Sequence, residues 1–213
     1  MRSVVVLPTS TSTAWSTRVA ARGADDAGRL ATGELVYQGV ARTPLCALAR
    51  RVPFAGQAVN VMNEFFATTA DVYRLTGELD PSHDQHPAAD GGAKDAAATR
   101  QRLARMVGRD ARDHAPEDWL ALARAWRELQ LHEIDGQLAR VAASAGVRPD
   151  APLLGAGCGA FLAQALALRS ARPYRRFCDC VAAPDAARDS ALARWIDVCA
   201  PAVAVALLAL AGA

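Results

Sequence analysis

The stretch from Pro116 to Gly146 constrains this chain more than any other. Pro116 suits a first helical turn, where its missing N–H would have no partner anyway. Glu117 and Asp118 complement the positive end of a helix dipole, and Gly146 supplies a stop. Trp119, Leu122, Trp126 and Leu129 recur at helical spacing, which predicts a long helix with one apolar stripe. The stripe then slips to Ile134, Leu138 and Val141, which predicts a bend near Leu131.

Around that helix the chain alternates short strand candidates with helices. Val4 to Leu7 reads as a buried strand stopped by Pro8, and Thr9 to Thr13 as a loop or strand edge. Arg18 to Arg22 reads as a second strand turning at Gly23. A short segment with Leu30, Leu35 and Val36 is broken at Gly33 and Gly39. Thr43-Pro44 marks a boundary, because the residue before proline is pushed out of the helical region. Gln57 to Thr76 predicts a helix ended by Gly77. On it Val61, Phe65, Val72 and Leu75 share one face, and Glu64, Thr68 and Asp71 share another. Asp80 to Gly92 is a polar loop. Asp95 to Arg109 predicts a helix with Leu103, Met106 and Val107 inward. Pro152 to Leu154 is a strand candidate, Gly155 to Gly159 a turn, Phe161 to Leu168 a helix and Phe177 to Val181 a last strand. Asp185 to Cys199 and Pro201 to Leu210 read as helices, separated or kinked at Pro201. The sum is α/β with helix in excess.

Composition narrows the function classes. The chain has 213 residues, enough for one domain or two small ones, and is 52% hydrophobic and 22% charged, which excludes wholesale disorder. It carries 49 Ala and 23 Arg against a single lysine, Lys94. That bias weakens any argument built on Ala or Arg alone. The net charge is +2 with no dense basic block, so no nucleic-acid partner is expected. Five cysteines at irregular spacing form no zinc pattern and read as reduced thiols of a cytoplasmic protein, with no metal site. The longest apolar run, Ala200 to Ala213, is shorter than the roughly 20 residues a span needs, and the N-terminus has too short an apolar core for a signal peptide; no membrane association is expected.

Three places could carry chemistry. Gly155, Gly157 and Gly159 lie between a strand and a helix, where backbone can approach a ligand and a helix start offers free N–H groups. Their spacing is neither the dinucleotide fingerprint nor a P-loop, and a plain tight turn is the competing reading. Glu64, Thr68 and Asp71, with Asn63 before them and Phe65 and Phe66 beside them, form a mixed face suited to a cleft; a solvated helix face is the alternative. Glu34, Tyr37, Arg42 and Thr43 lie between glycines and could hold a polar small molecule, with Arg42 suited to a carboxylate or phosphate; the alternative is a surface hairpin. His83 and His86 read as solvated loop residues, and no Ser-His-Asp or Cys-His arrangement is supported. The Thr9 to Thr13 run, with Thr11 at its centre, offers hydroxyls to a phosphate but no acidic metal ligand. No residue is assigned a catalytic role.

Four segments resemble a known family. Gly33-Glu34-Leu35-Val36-Tyr37-Gln38-Gly39-Val40-Ala41-Arg42-Thr43-Pro44 is similar to its "GELVYTGVxRTP". Asn63-Glu64-Phe65-Phe66-Ala67-Thr68-Thr69-Ala70-Asp71-Val72-Tyr73-Arg74 is similar to its "xExFATTADVYR" helix. Asp90-Gly91-Gly92-Ala93-Lys94 and the run from Arg102 to Asp110 resemble "ADGxxK" and "RLARMVGRD". The glycine turn and the run from Ala200 to Ala206 agree as well. The family is the hydantoinase A/oxoprolinase-like group, and within it the tetrahydromethanopterin-linked C1-transfer branch, related to an archaeal enzyme that builds the methanofuran core.

The resemblance runs from about Gly23 to Ala206. It implies a ribonuclease H-like lobe of the actin/sugar kinase/Hsp70-like ATPase fold, with residues 1–22 a divergent remnant of a strand and phosphate loop and residues 23–213 the C-terminal lobe. It implies ATP and Mg²⁺, with Gly155, Gly157, Gly159 and Thr11 toward the nucleotide. Glu34, Tyr37, Arg42, Thr43, Asn63, Glu64, Thr68 and Asp71 would line the substrate side, for a small-molecule substrate. Family members are longer, and a preceding N-terminal lobe is expected. The loop "DxGSTTTD" reads here as Leu7-Pro8-Thr9-Ser10-Thr11-Ser12-Thr13-Ala14-Trp15, without its aspartates or glycine, which puts nucleotide hydrolysis by this chain alone in question. Three functions follow from the resemblance. One is an ATP-dependent condensing step toward a methanofuran-like C1 carrier. Another is a non-catalytic scaffold or binding module, pairing as a homodimer or with the missing lobe. The last is an ATP-dependent hydantoinase/oxoprolinase-type hydrolase.

Overall fold

A computed structural model describes residues 22–181 and 191–210. The expected strands at Val4 to Leu7 and Arg18 to Arg22 lie outside them, apart from Arg22, as do Thr11 and the start of the helix expected from Asp185. The chain divides into two compact units, residues 38–134 and a second formed by residues up to Tyr37 and from Asp135 onward. Both mix helix and strand.

The first unit opens on a hairpin, β1 (Arg51–Phe54) and β2 (Gln57–Asn60), antiparallel with Val52 opposite Val59. This corrects the expected helix from Gln57. Its turn is Ala55-Gly56, with φ of +47° and +77°. Two left-handed residues match the twist of a two-residue hairpin, but Ala-Gly is a weaker signal than Asn-Gly, and Pro53 argues against a strand to a reader of the sequence. The helix is confined to α2 (Thr69–Thr76), capped by Thr68 and ended by Gly77 in the left-handed conformation. Residues 63–66 form bends. Glu64, Thr68 and Asp71 are therefore not one helical stripe. Thr68-x-x-Asp71 is instead a helix-start signature, the carboxylate reaching back to the N–H that opens the helix.

The rest of this unit is α3 (Ala96–Met106), N-capped by Asp95, and α4 (Pro116–Ser144), which belongs to this unit through Ile134. Trp119, Leu122 and Trp126 of α4 and Leu103 and Met106 of α3 are essentially fully buried, as their spacing predicts. Phe54 of β1 stacks on Trp119, ring centroids 5.1 Å apart, and the Trp119 indole N–H donates to the carbonyl of Ala111 at 2.9 Å. Stacked aromatics with a satisfied N–H combine large burial with a fixed orientation.

The second unit contains α1 (Asp26–Thr32), the end of α4, β3 (Leu153–Gly155), α5 (Ala160–Arg169), β4 (Tyr174–Arg176), α6 (Ala191–Val198) and α7 (Ala200–Leu210). β3 and β4 are parallel, with Leu153 opposite Tyr174, and α5 is the crossover that parallel pairing requires. The last expected strand is corrected: pairing ends at Arg176, and Phe177–Cys180 is a 3-10 turn. α6 and α7 meet at 89°, at the break expected near Pro201. Among the described residues no single helix is long and apolar enough to cross a membrane.

Candidate functional site

Within residues 38–134, the end of the first similar segment, from Gln38 to Pro44, meets the other three. The Pro44 backbone bridges Thr68, and the Thr69 N–H donates to the carbonyl of Thr43 at 2.9 Å. The Thr43 hydroxyl in turn accepts from the Gly39 N–H at 2.8 Å. Buried Gln130 of α4 receives the Tyr73 hydroxyl at 2.6 Å and donates to the Gly39 carbonyl at 3.2 Å. This chain of hydrogen bonds fixes the loop before α2 against two helices.

The charged part of the site is centred on Asp71. One carboxylate oxygen accepts the Thr68 N–H at 3.0 Å; the other accepts from Arg74 Nη1 and Arg102 Nε, both at 2.8 Å. Asp71 and Arg102 are both fully buried. Arg102 Nη1 also donates to the Ala93 carbonyl at 2.9 Å and to Asp90 at 3.1 Å. Arg74 pairs with Asp84 through Nε and, at 3.0 Å, through Nη2. Lys94 Nζ donates to the Asp84 carbonyl at 2.6 Å. Three cations and three carboxylates thus tie the segment from Asp84 to Lys94 onto α2 and α3. Burial works to raise the Asp84 carboxyl, but the Arg74 hydrogen bonds and charge, followed by those of Lys94, outweigh it and hold it below the ordinary value. At Asp90 burial opposes in the same way, and the Gly92 N–H and the Arg102 guanidinium prevail. The donors and acceptors of the network are directed at one another, which positions this bend.

Thr43, Thr68 and Asp71 are brought together, with Thr68 and Asp71 buried inside the network. Asn63, Glu64 and Arg42 are exposed in the same unit. Glu34 and Tyr37 belong to the other unit. There Glu34 is not part of a hairpin: the chain after α1 is irregular, and the Glu34 carboxylate accepts the N–H groups of Arg22 and Gly23 at 2.6 and 2.8 Å and the Thr32 hydroxyl at 2.8 Å. Those backbone bonds, first at Arg22 and then at Gly23, hold its carboxyl low. The Tyr37 side chain is exposed.

The glycine turn connects β3 to α5. Gly157 has φ +80°, which requires glycine, and Gly159 caps α5. A side chain at Gly155 would meet the Tyr174 ring, with Cε2 at 2.7 Å and the hydroxyl closer still. Gly155 therefore makes room for Tyr174. Asp197 closes the turn from α6: its carbonyl accepts the Gly157 N–H at 2.7 Å. Among the described residues no group of three or more His, Cys, Asp or Glu side chains is arranged to hold a metal ion.

Asp84, Arg74, Arg102 and Asp197 were not singled out by sequence reasoning. One signal was available: in a chain with 23 arginines, the one lysine, Lys94, is bonded into the network.

No family model matches the chain. Its likeness is to archaeal synthases. It is 34% identical over 85 residues to the (4-{4-[2-(gamma-L-glutamylamino)ethyl]phenoxymethyl}furan-2-yl)methanamine synthase of Methanocaldococcus jannaschii, covering 40% of this chain and 26% of that protein. It is 24% identical over 129 residues to the protein of the same name from Methanococcus vannielii, covering 61% of this chain and 58% of that one. The chain thus spans about a quarter and somewhat over half of the length of these two relatives.

Proposed function

We propose that this chain acts in the biosynthesis of a methanofuran-like C1-carrier cofactor, at the step that joins a furan to a glutamylated tyramine. The observation that carries this reading is the similarity to two archaeal synthases of one name. The compound in that name has an ether between a tyramine phenol oxygen and a methylene on the furan. Forming it requires an activated furan methylene, attack by the phenol oxygen, loss of the phenol proton and departure of the activating group. We read the chain further as a hydantoinase/oxoprolinase-like lobe of the actin/sugar kinase type. In that reading Gly157 and Gly159 face the adenosine end of ATP, and the bend from Asp84 to Lys94 is held ready beside the substrate-binding segments. ATP would drive the condensation by phosphorylating a furan hydroxymethyl, the phosphate then departing as the phenol oxygen attacks, and any Mg²⁺ would be held by phosphate oxygens rather than by a carboxylate cluster of the described residues. The contribution of this chain is to orient substrates and exclude water.

The test is direct. The purified chain is incubated with γ-glutamyltyramine and an aminomethyl-furan bearing a free hydroxymethyl group, with and without Mg·ATP, and the ether product is read by mass spectrometry. Product only with ATP is expected. Product in both arms keeps the step and removes ATP; product in neither overturns catalysis by this chain. A second reading, a non-catalytic binding module, has one observation in its favour: Thr68 and Asp71 are buried and internally bonded. Substrate binding by calorimetry without turnover would select it.

A further inference from the structure

We infer that Asp197 is the positioning residue of the glycine turn, setting its shape for ligand binding from a helix distant in sequence. The inference rests on the reading of that turn as a nucleotide contact. Asp197 is buried, on α6, and fastens three segments at once. Its backbone carbonyl accepts the Gly157 N–H at 2.7 Å. One carboxylate oxygen accepts the Cys178 N–H at 2.7 Å, at the 3-10 turn after β4. The other accepts Arg176 Nε at 2.8 Å and Nη2 at 2.7 Å, and the Cys178 thiol at 3.4 Å. The carboxylate holds α6 against the end of β4, and that anchorage places the backbone oxygen over Gly157. A buried charge with this many donors cannot shift without leaving several of them unpaired. Gly157, at φ +80°, lies where the chain must reverse from β3 into α5.

The test uses the full chain with Asp197→Ala and Asp197→Asn. Asn keeps an acceptor for the Cys178 N–H but loses the charge that holds Arg176. Amide hydrogen exchange at Gly157 is expected to rise about tenfold in Asp197→Ala, the effect of losing one fastening, with Asp197→Asn between it and the wild type. Exchange at Leu166, on the buried face of α5, is expected to stay unchanged, which a general loss of structure would not allow. Mg·ATP titrated by calorimetry is expected to bind Asp197→Ala about tenfold more weakly, with partial recovery in Asp197→Asn. Wild-type Gly157 exchange in both variants overturns the inference, as does unchanged nucleotide affinity. If the wild-type chain binds no nucleotide, the nucleotide reading falls, and Gly157 exchange alone decides whether Asp197 sets the turn. If Asp197→Ala fails to fold, Asp197→Asn carries both measurements.

Discussion

Each unit has to hold a glycine-containing bend, and the two do it differently: one is gripped by charges directly, the other through a backbone acceptor. In residues 38–134, Asp90-Gly91-Gly92 is tied by side-chain charge: Arg102 grips Asp90 and the Ala93 carbonyl, while Arg74 and Lys94 grip Asp84. In the other unit, the bend from Gly155 to Gly159 is fitted by shape and closed by a backbone acceptor, with Tyr174 filling the space at Gly155 and the Asp197 carbonyl on Gly157. The first bend is therefore held by charges that grip it directly, while the second depends on space at Gly155 and on a carbonyl whose placement the Asp197 carboxylate secures from a distance.

The largest expected effect breaks the charged side of this comparison. Arg102→Met leaves Asp71 buried with part of its partner set gone and should cost about 3–5 kcal/mol by urea denaturation. Arg102→Lys should recover little of it, because one ammonium cannot reproduce a fork that serves Asp71, Asp90 and Ala93 together. A loss under about 1 kcal/mol in Arg102→Met would show that the bend is not held by charge.

The shape-fitted side is tested by Gly155→Ala, expected to cost about 1–3 kcal/mol through displacement of the Tyr174 ring. Tyr174→Leu in the same chain should relieve that cost, so the two changes together should be less damaging than their sum. Simple additivity would remove Tyr174 as the reason for the glycine.

Acid should sharpen the contrast with a smaller effect. Asp84 and Asp90 are held below the ordinary carboxylate value when folded. The unfolded chain therefore takes up protons first as pH falls. The stability these groups supply is full well above about pH 4 and is lost as pH drops through that value toward their folded ones. Asp84→Asn should flatten this limb, so the gap between wild type and variant narrows below about pH 4. A gap that stays constant into acid would contradict the role of Asp84.

The smallest effect is at a helix start. The Asp95 carboxylate accepts the Ala98 N–H at 2.8 Å. Asp95→Ala should cost about 1 kcal/mol by urea denaturation, since it removes a cap and leaves the network whole.

Legibility followed the range of the interactions. The stripe of Trp119, Leu122 and Trp126, the stop at Gly77, the break near Pro201 and the strand–turn–helix around Gly155 were all readable, because each is written within a few neighbouring residues. The hairpin at Arg51–Asn60 was not, since its turn lacks the usual Asn and a proline interrupts its strand. Apolar spacing alone extended α2 backward over residues that pair as a strand. The site was half legible. Asp71 was singled out, but as one of three groups on an open helix face, whereas it caps the helix and is buried under Arg102.

The sequence by itself determined where the long helices α3 and α4 form and stop, that strands and helices alternate around a glycine turn, and which segments resemble archaeal cofactor synthases. Only the tertiary structure decided that Arg102 would neutralise Asp71 from 31 positions away, and that a carbonyl on α6 would close the turn at Gly157. Periodicity and capping act through adjacent residues and leave a pattern in the chain. The pairing of buried charges is settled only when packing removes water from both partners and leaves each with no better partner than the other.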